Sequence, residues 1–234
     1  MRRLDGNHLD GPSGRLQHGM HSIATHLAER LPDRTIRLGT PATSITADGE
    51  LLVVSTHDAS VTAPDVVLAI PPALATRTID LVGLEPHVAS VAAATPVWMG
   101  STVKIVVQYS TPFWRANGLA GAGFSHVGPL REIHDMSGPD GRPAALFGFA
   151  SPGPNGPAPD RDAVVRQLVT MFGPEAAEPV ALHVADWRTE AFTSPADVHD
   201  LTDYRTYGHS AYQQPSMGGR LHWAATETSV ITPG

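Results

Sequence analysis

The stretch Asp65–Pro72, DVVLAIPP, limits the architecture more than any other part of this 234-residue chain. Val66 to Ile70 is a continuous apolar run with no polar side chain to mark a wet face. Pro71-Pro72 end it, because neither residue can donate to a strand ladder. A strand of this kind is expected to be covered on both faces, as in the parallel sheet of an α/β domain. The chain is long enough to supply such cover, and it can bury one large core or two smaller ones.

Around that strand the pattern alternates between helix and sheet. Leu16, Met20, Ile23, Leu27 and Leu31 recur at spacings of four, three, four and four, one face of an amphipathic helix that Pro32 stops. Short strands are expected at Thr35–Leu38, Thr43–Ala47, Leu51–Thr56 and Val61–Ala63, with Asp48-Gly49 as a tight turn. A helix over Pro86–Ala94 precedes a strand over Ser101–Tyr109. Residues 110–160 are rich in Gly and Pro and hold short strands near Gly123–Val127 and Ala144–Phe149. Asp160 caps a helix over Arg161–Phe172, whose Val164, Val165, Leu168 and Phe172 share a side and which Gly173-Pro174 closes. Val180–Asp186 reads as a strand leading to Trp187. In GRLHWAATETS (Gly219–Ser229), a strand around Leu221 and Trp223 runs into a small, hydroxyl-rich turn with one acid, Glu227. The class is α/β or α+β, with a sheet-rich insertion.

Composition excludes several chemistries. A net charge of -7, with no basic block beyond Arg2-Arg3, argues against a nucleic-acid partner. With no cysteine there is no disulfide, thiolate nucleophile or Cys-bound zinc. The 12 histidines offer only His18 and His21 as a near pair at helical spacing, with no carboxylate motif beside them, so no metal site is expected. No secretory signal follows the first arginines, and the apolar runs fall far short of the ~20 residues that cross a bilayer. A cytoplasmic location and no membrane contact are the default expectations. GFSHVG (Gly123–Gly128) is one residue too long for a nucleophile elbow. DGNHLDG (Asp5–Gly11) puts Leu9 where a calcium loop needs oxygen and Asp10 where it needs glycine. Neither a G-x-G-x-x-G turn nor a phosphate-binding P-loop occurs.

Two residues stand out from this background. Lys104 lies between Val103 and Ile105 in WMGSTVKIVVQY, on one strand face with Thr102 and Val106. A lysine at half-buried depth is costly unless its ammonium is paired or solvated. The alternative is a lysine on an edge strand that snorkels to water. Trp187, at a strand end, is either a core or wall residue or the floor of a planar cofactor.

Eight short pieces, in order, resemble the flavin-containing monoamine oxidase family. They are GMHSIATHLAERL (Gly19–Leu31), LGTPATSI (Leu38–Ile45), VVLAIPPAL (Val66–Leu74), MGSTVK (Met99–Lys104), TPFW (Thr111–Trp114), SGPDGRPAALFGF (Ser137–Phe149), ADWRTEAFTS (Ala185–Ser194) and GGRLHWAATETS (Gly218–Ser229). The resemblance implies a partial FAD-binding Rossmann-like domain in residues 1–93 and 187–234, with a sheet-rich substrate domain, residues 94–186, inserted. It implies oxidation of a primary or secondary amine to an imine with O2 as acceptor. Lys104 would be the catalytic lysine that holds a water near the flavin. Trp187 would lie beside the flavin ring, Thr226 and Glu227 against its ribityl and phosphate region, and Ala42 on the adenine side. Ala225 stands where the family usually has glycine, and Asp197 falls where one wall of the substrate cage is counted. Lacking cysteine, the chain would hold FAD without a covalent link. The family's glycine-rich opening and closing helix find no match, so a partial chain is expected, and a homodimer is a further expectation. Alternative readings are an inactive remnant serving as a binding module, or another flavin oxidoreductase of the same superfamily.

Overall fold

The computed structural model describes residues 16, 18–138, 140–152, 156–195 and 203–231, in two compact units, Met1–Thr40 and Pro41–Gly234. In the first unit the apolar period yields a helix, α1 (His21–Ala28), shorter than the expected 16–31. Beyond Ala28 the chain tightens: the N–H groups of Arg30 and Leu31 donate to Leu27 and Ala28, three residues back. The strand expected at Thr35–Leu38 does not form. Thr35 instead turns back, its amide and its hydroxyl both donating to the Pro32 carbonyl.

The second unit opens with a meander of β1 (Ser44–Asp48), β2 (Leu51–Ser55) and β3 (Ser60–Ala63). Asp48 pairs with Leu51, and Gly49 at φ 58° takes the first central position of the two-residue turn, where glycine carries a positive φ without strain. Next come β4 (Val66–Leu68), α2 (Pro72–Thr78), β5 (Asp80–Val82) and α3 (Pro86–Ala94). Pro72 and Pro86 each start a helix, where a missing N–H costs nothing. β5 joins β1 in parallel, and β4 pairs in parallel with Leu221–Trp223, the last strand in chain order and hence β11. The apolar run is therefore a parallel strand, as expected, but it is not covered on both faces. Val67 is 59% exposed while Leu68, on the opposite face, is buried, so among the described residues only one face of β4 is packed. Ile45, Leu52, Leu68, Ala75, Val88, Leu221 and Trp223 form this part's core.

Between these parts lies a five-stranded antiparallel sheet in the order β10-β6-β9-β8-β7. Its strands are β6 (Val103–Tyr109), β7 (Gly123–Phe124), β8 (Leu130–Asp135), β9 (Ala144–Ala150) and β10 (Ala181–Asp186). The short helix α4 (Phe113–Ala116) follows β6, and α5 (Arg161–Phe172) follows β9. The Asp160 side chain caps α5 by accepting from Ala163 N–H, and Gly173 at φ 107° ends it. Alternate residues of β6, Val103, Ile105, Val107 and Tyr109, are buried in one core with Val164, Leu168 and Phe172 of α5. The opposite face carries Lys104, Val106 and Gln108, each half-buried. Parallel and antiparallel pairings coexist with helices, so the fold class is mixed α/β.

Candidate functional site

The position of β6 decides between the two readings of Lys104. β6 is flanked by β10 and β9, so Lys104 stands on an interior strand and not on an edge. Directly paired residues of antiparallel strands share a face. The first row across this face is Ala185, Lys104, Phe149 and Glu132; the next is His183, Val106, Phe147 and His134. The Lys104 ammonium lies 5.2 Å from the Phe147 ring centroid and 5.8 Å from that of Phe149. Among the described residues no carboxylate pairs with it. Cation–π attraction thus replaces an ion pair and leaves the three ammonium N–H groups available to a water or ligand.

Two strands over from Lys104, ~10 Å at the usual strand spacing, Glu132 Oε1 lies 2.6 Å from His134 Nε2. His134 stacks on Phe147 with ring centroids 6.1 Å apart and planes at 23°. The face therefore offers one cation, two aromatic walls and a carboxylate–imidazole pair. Sequence reasoning missed both rings beside Lys104 and the Glu132–His134 pair. Their signal was the alternation in ALFGFA and LREIHD, which acquires meaning only once β8 and β9 are known to neighbour β6.

Trp187 begins a short 3-10 turn immediately after β10, half-buried. Its N–H donates to the Thr102 carbonyl at 3.3 Å, which brings Trp187 and Lys104 to one end of the sheet. The turn is clamped by its flanking residues. Arg188 Nε donates to Asp186 Oδ1 at 2.8 Å and Nη2 to Oδ2 at 2.6 Å, while Nη1 donates to the Gly156 carbonyl at 2.6 Å. The hydrogen bonds from Arg188 hold the Asp186 carboxyl below its usual range, against the opposing effect of burial. Further along, Ser194 is buried with a hydroxyl that has no partner among the described residues. Asp197 lies outside the described residues.

After β11 the turn Thr226–Thr228 closes as a 3-10 turn, with Ala225 N–H donating to the Thr228 hydroxyl at 3.1 Å. Ala225 has extended backbone (φ -100°), so alanine in place of glycine is unstrained here. Thr226 is exposed, whereas Glu227 is only 2% exposed. Glu227 Oε1 accepts from Trp98 N–H at 2.8 Å. The same segment is held by Tyr207, whose hydroxyl donates to the Pro96 carbonyl at 2.9 Å, and by Tyr212, 2.6 Å from the Thr95 hydroxyl. Burial and then the Glu227 charge push the Tyr207 phenol up. Burial pushes Tyr212 up to about 12, with the Thr95 hydrogen bond opposing and Glu227 adding to the rise. Both phenols therefore keep their protons at neutral pH. Residues 95–98, which lead towards β6, are pinned by the chain on either side of β11. Ala42 is half-buried against the core that holds Leu221 and Trp223.

A separate cavity of about 480 Å³ between α2, β5 and α3 includes Thr43, Thr76, Thr78 and Asp80 in its wall. The Thr76 and Thr78 hydroxyls are spent on the α2 carbonyls of Pro72 and Leu74, so they offer a ligand little. Among the described residues no group of three or more His, Asp or Glu could hold a metal ion.

The profile of the family described as "Flavin containing amine oxidoreductase" matches residues 2–234. The chain is 26% identical to a probable flavin-containing monoamine oxidase A of Dictyostelium discoideum, over 97% of this chain and 51% of that protein. It is 31% identical to the putative flavin-containing monoamine oxidase AofH of Mycobacterium tuberculosis, over 92% of this chain and 47% of that one. The fold is similar to that of a putrescine oxidase solved with putrescine bound, with a TM-score of 0.75 and 25% identity over 92% of this chain and 49% of that one. The chain thus spans about half the length of the relatives it matches.

Proposed function

Because the chain belongs to the flavin-containing amine oxidoreductase family, we propose that it supplies the amine-facing sheet and the flavin-contacting turns of an FAD-dependent amine oxidase. One observation carries the reading: Lys104 projects from an interior strand onto a half-buried face with two phenylalanine rings beside its ammonium and, among the described residues, no carboxylate to neutralise it. A structural lysine would be paired or at an edge, whereas an unpaired one offers its N–H groups to a water or ligand.

The residues present suit a flavin. The turn after β11 is small and rich in hydroxyls, the exposed Thr226 among them. Bound FAD would supply the redox chemistry, accepting a hydride equivalent from the amine carbon and passing two electrons to O2, so that amine becomes imine and O2 becomes peroxide. The chain's own residues would do the rest. Lys104 would hold a water by donating to it, Phe147 and Phe149 would keep bulk water from the amine, and Trp187 would wall the cofactor side. Ala42, Ala225, Thr226 and Glu227 belong to the proposed cofactor contacts, and Asp197 to the amine side.

In this proposal residues 1–93 and 187–234 serve FAD and residues 94–186 serve the substrate. Support comes from two separate cores, one drawn from residues 103–176 and one from 45–92 and 212–223. FAD bound without a covalent link, in a chain with no cysteine, is part of the same reading. A homodimer and a cytoplasmic location are further parts, resting on the sequence alone. Among the described residues no helix is long and apolar enough to cross a membrane.

The test is Lys104→Met in the purified flavoprotein, with flavin reduction by amine and reoxidation by O2 followed separately by stopped flow. The reading predicts at least one step slowed by about 100-fold, the scale of a positioned proton-handling group. Both rates unchanged would remove Lys104 from the mechanism.

A further inference from the structure

Trp187 is half-buried yet belongs to neither hydrophobic core. Among the described residues its indole N–H has no hydrogen-bond partner, and no other aromatic ring pairs with it. The placement of the indole therefore falls largely to the backbone that carries it. That backbone is tied down on both sides. Trp187 N–H donates to the Thr102 carbonyl and the Trp187 carbonyl accepts from Glu190 N–H, both at 3.3 Å. The flanking residues are joined across the tryptophan: Arg188 forks onto the Asp186 carboxylate through Nε at 2.8 Å and Nη2 at 2.6 Å, and its backbone N–H donates to Asp186 Oδ1 at 3.2 Å. Arg188 Nη1 reaches the Gly156 carbonyl at 2.6 Å, which ties the turn to the chain between β9 and α5. A two-point guanidinium–carboxylate fork fixes direction as well as distance.

We infer that Asp186 and Arg188 are positioning residues, a pair straddling Trp187 that holds its indole in place for the bound flavin. The inference rests on the flavin reading above and extends it to residues that do not touch the cofactor. A side chain placed before the ligand arrives is not ordered at the expense of binding, so the clamp raises affinity without a contact of its own. A pair serving the fold alone would weaken the whole protein when cut, but it would not act through Trp187.

The experiment compares wild type, Arg188→Met, Trp187→Phe and the double variant as purified proteins. FAD binding is titrated by quenching of flavin fluorescence, well below the unfolding temperature of each variant, and visible spectra of the complexes are overlaid. The expected result for Arg188→Met is a dissociation constant raised about 2- to 10-fold, the scale of ordering one side chain on binding, with a displaced flavin band. In the Trp187→Phe background the same substitution should add neither a further rise nor a further displacement. An unchanged dissociation constant and band in Arg188→Met would overturn the inference. So would an equal rise with and without the tryptophan, because the pair would then act on the fold in general. Where Arg188→Met does not fold, Asp186→Asn, which keeps one acceptor oxygen for Arg188, is read by the same comparisons. If wild type binds no FAD, or Trp187→Phe alone alters neither affinity nor band, the flavin reading of Trp187 fails and this inference falls with it, an outcome distinct from failure of the clamp alone.

Discussion

Asp135 accepts hydrogen bonds from Trp114 Nε1 at 2.9 Å, from Arg115 Nε at 2.6 Å and from Ser137 N–H at 2.8 Å. Burial alone would raise its pKa, but the hydrogen bonds from Arg115, Trp114 and Ser137 outweigh it and hold the carboxyl at about 2. In the unfolded chain an aspartate titrates near ~3.9, so below that value the unfolded state binds a proton more readily than the folded one. The stabilisation, roughly 2 kcal/mol, is complete above about pH 5 and is lost as pH falls through 4 towards 2. Asp135→Asn should therefore lower stability at pH 7 by a similar amount and flatten the acid limb of a urea-unfolding series between pH 4 and 2. An acid limb as steep as the wild type's would show that the acid sensitivity arises elsewhere. Lys104 was legible in the sequence because a charge inside an apolar alternation stands out from its neighbours. Asp135 was not, since the residues that give it meaning are a turn of α4 about twenty positions earlier. Ser194 was not legible as a buried residue either: its burial and its missing partner are properties of packing, which local sequence does not encode.

Elements with their own local signals were read correctly. α5 has a capping aspartate, a clean apolar side and a terminating glycine, and the structure gives it the expected bounds, Arg161–Phe172. β6, β9 and β10 alternate visibly and pair as a sheet. β5 was missed because three residues cannot display an alternation; parallel pairing with β1 makes it a strand. The reverse holds at Thr35–Leu38, where an apparent alternation has no partner strand and collapses to a turn on Pro32. The turn after β10 depends on side chains. Arg188 and Asp186 have side-chain exposures of only 10% and 17%, so removing one partner leaves the other poorly compensated. Arg188→Met should cost about 2 kcal/mol in thermal unfolding, between the values for exposed and fully buried pairs, and Asp186→Asn in the same chain should recover part of that loss. Losses that simply add in the double variant would show that the pair does not act as a unit.

At the scale of the whole molecule, the five-stranded sheet presents a buried face to α5 and a half-buried face carrying Lys104, while the Trp187 turn and the pinned segment 95–98 gather at the ends of β10 and β6. The order of motifs along the chain made the family legible where no single motif did. The open face of β4 was not legible, because an apolar run states a demand for cover and does not say where the cover comes from. Most of the proposed cofactor side chains stand on turns and not on strands, the common arrangement when a rigid sheet positions a site. The most direct test of the central claim is the visible spectrum of the purified, FAD-loaded protein under anaerobic conditions, recorded before and after adding a panel of primary and secondary amines. The account predicts that at least one amine bleaches the flavin band and that admitting air restores it with release of peroxide. A flavin band that every amine leaves unchanged would contradict an amine oxidase built around Lys104.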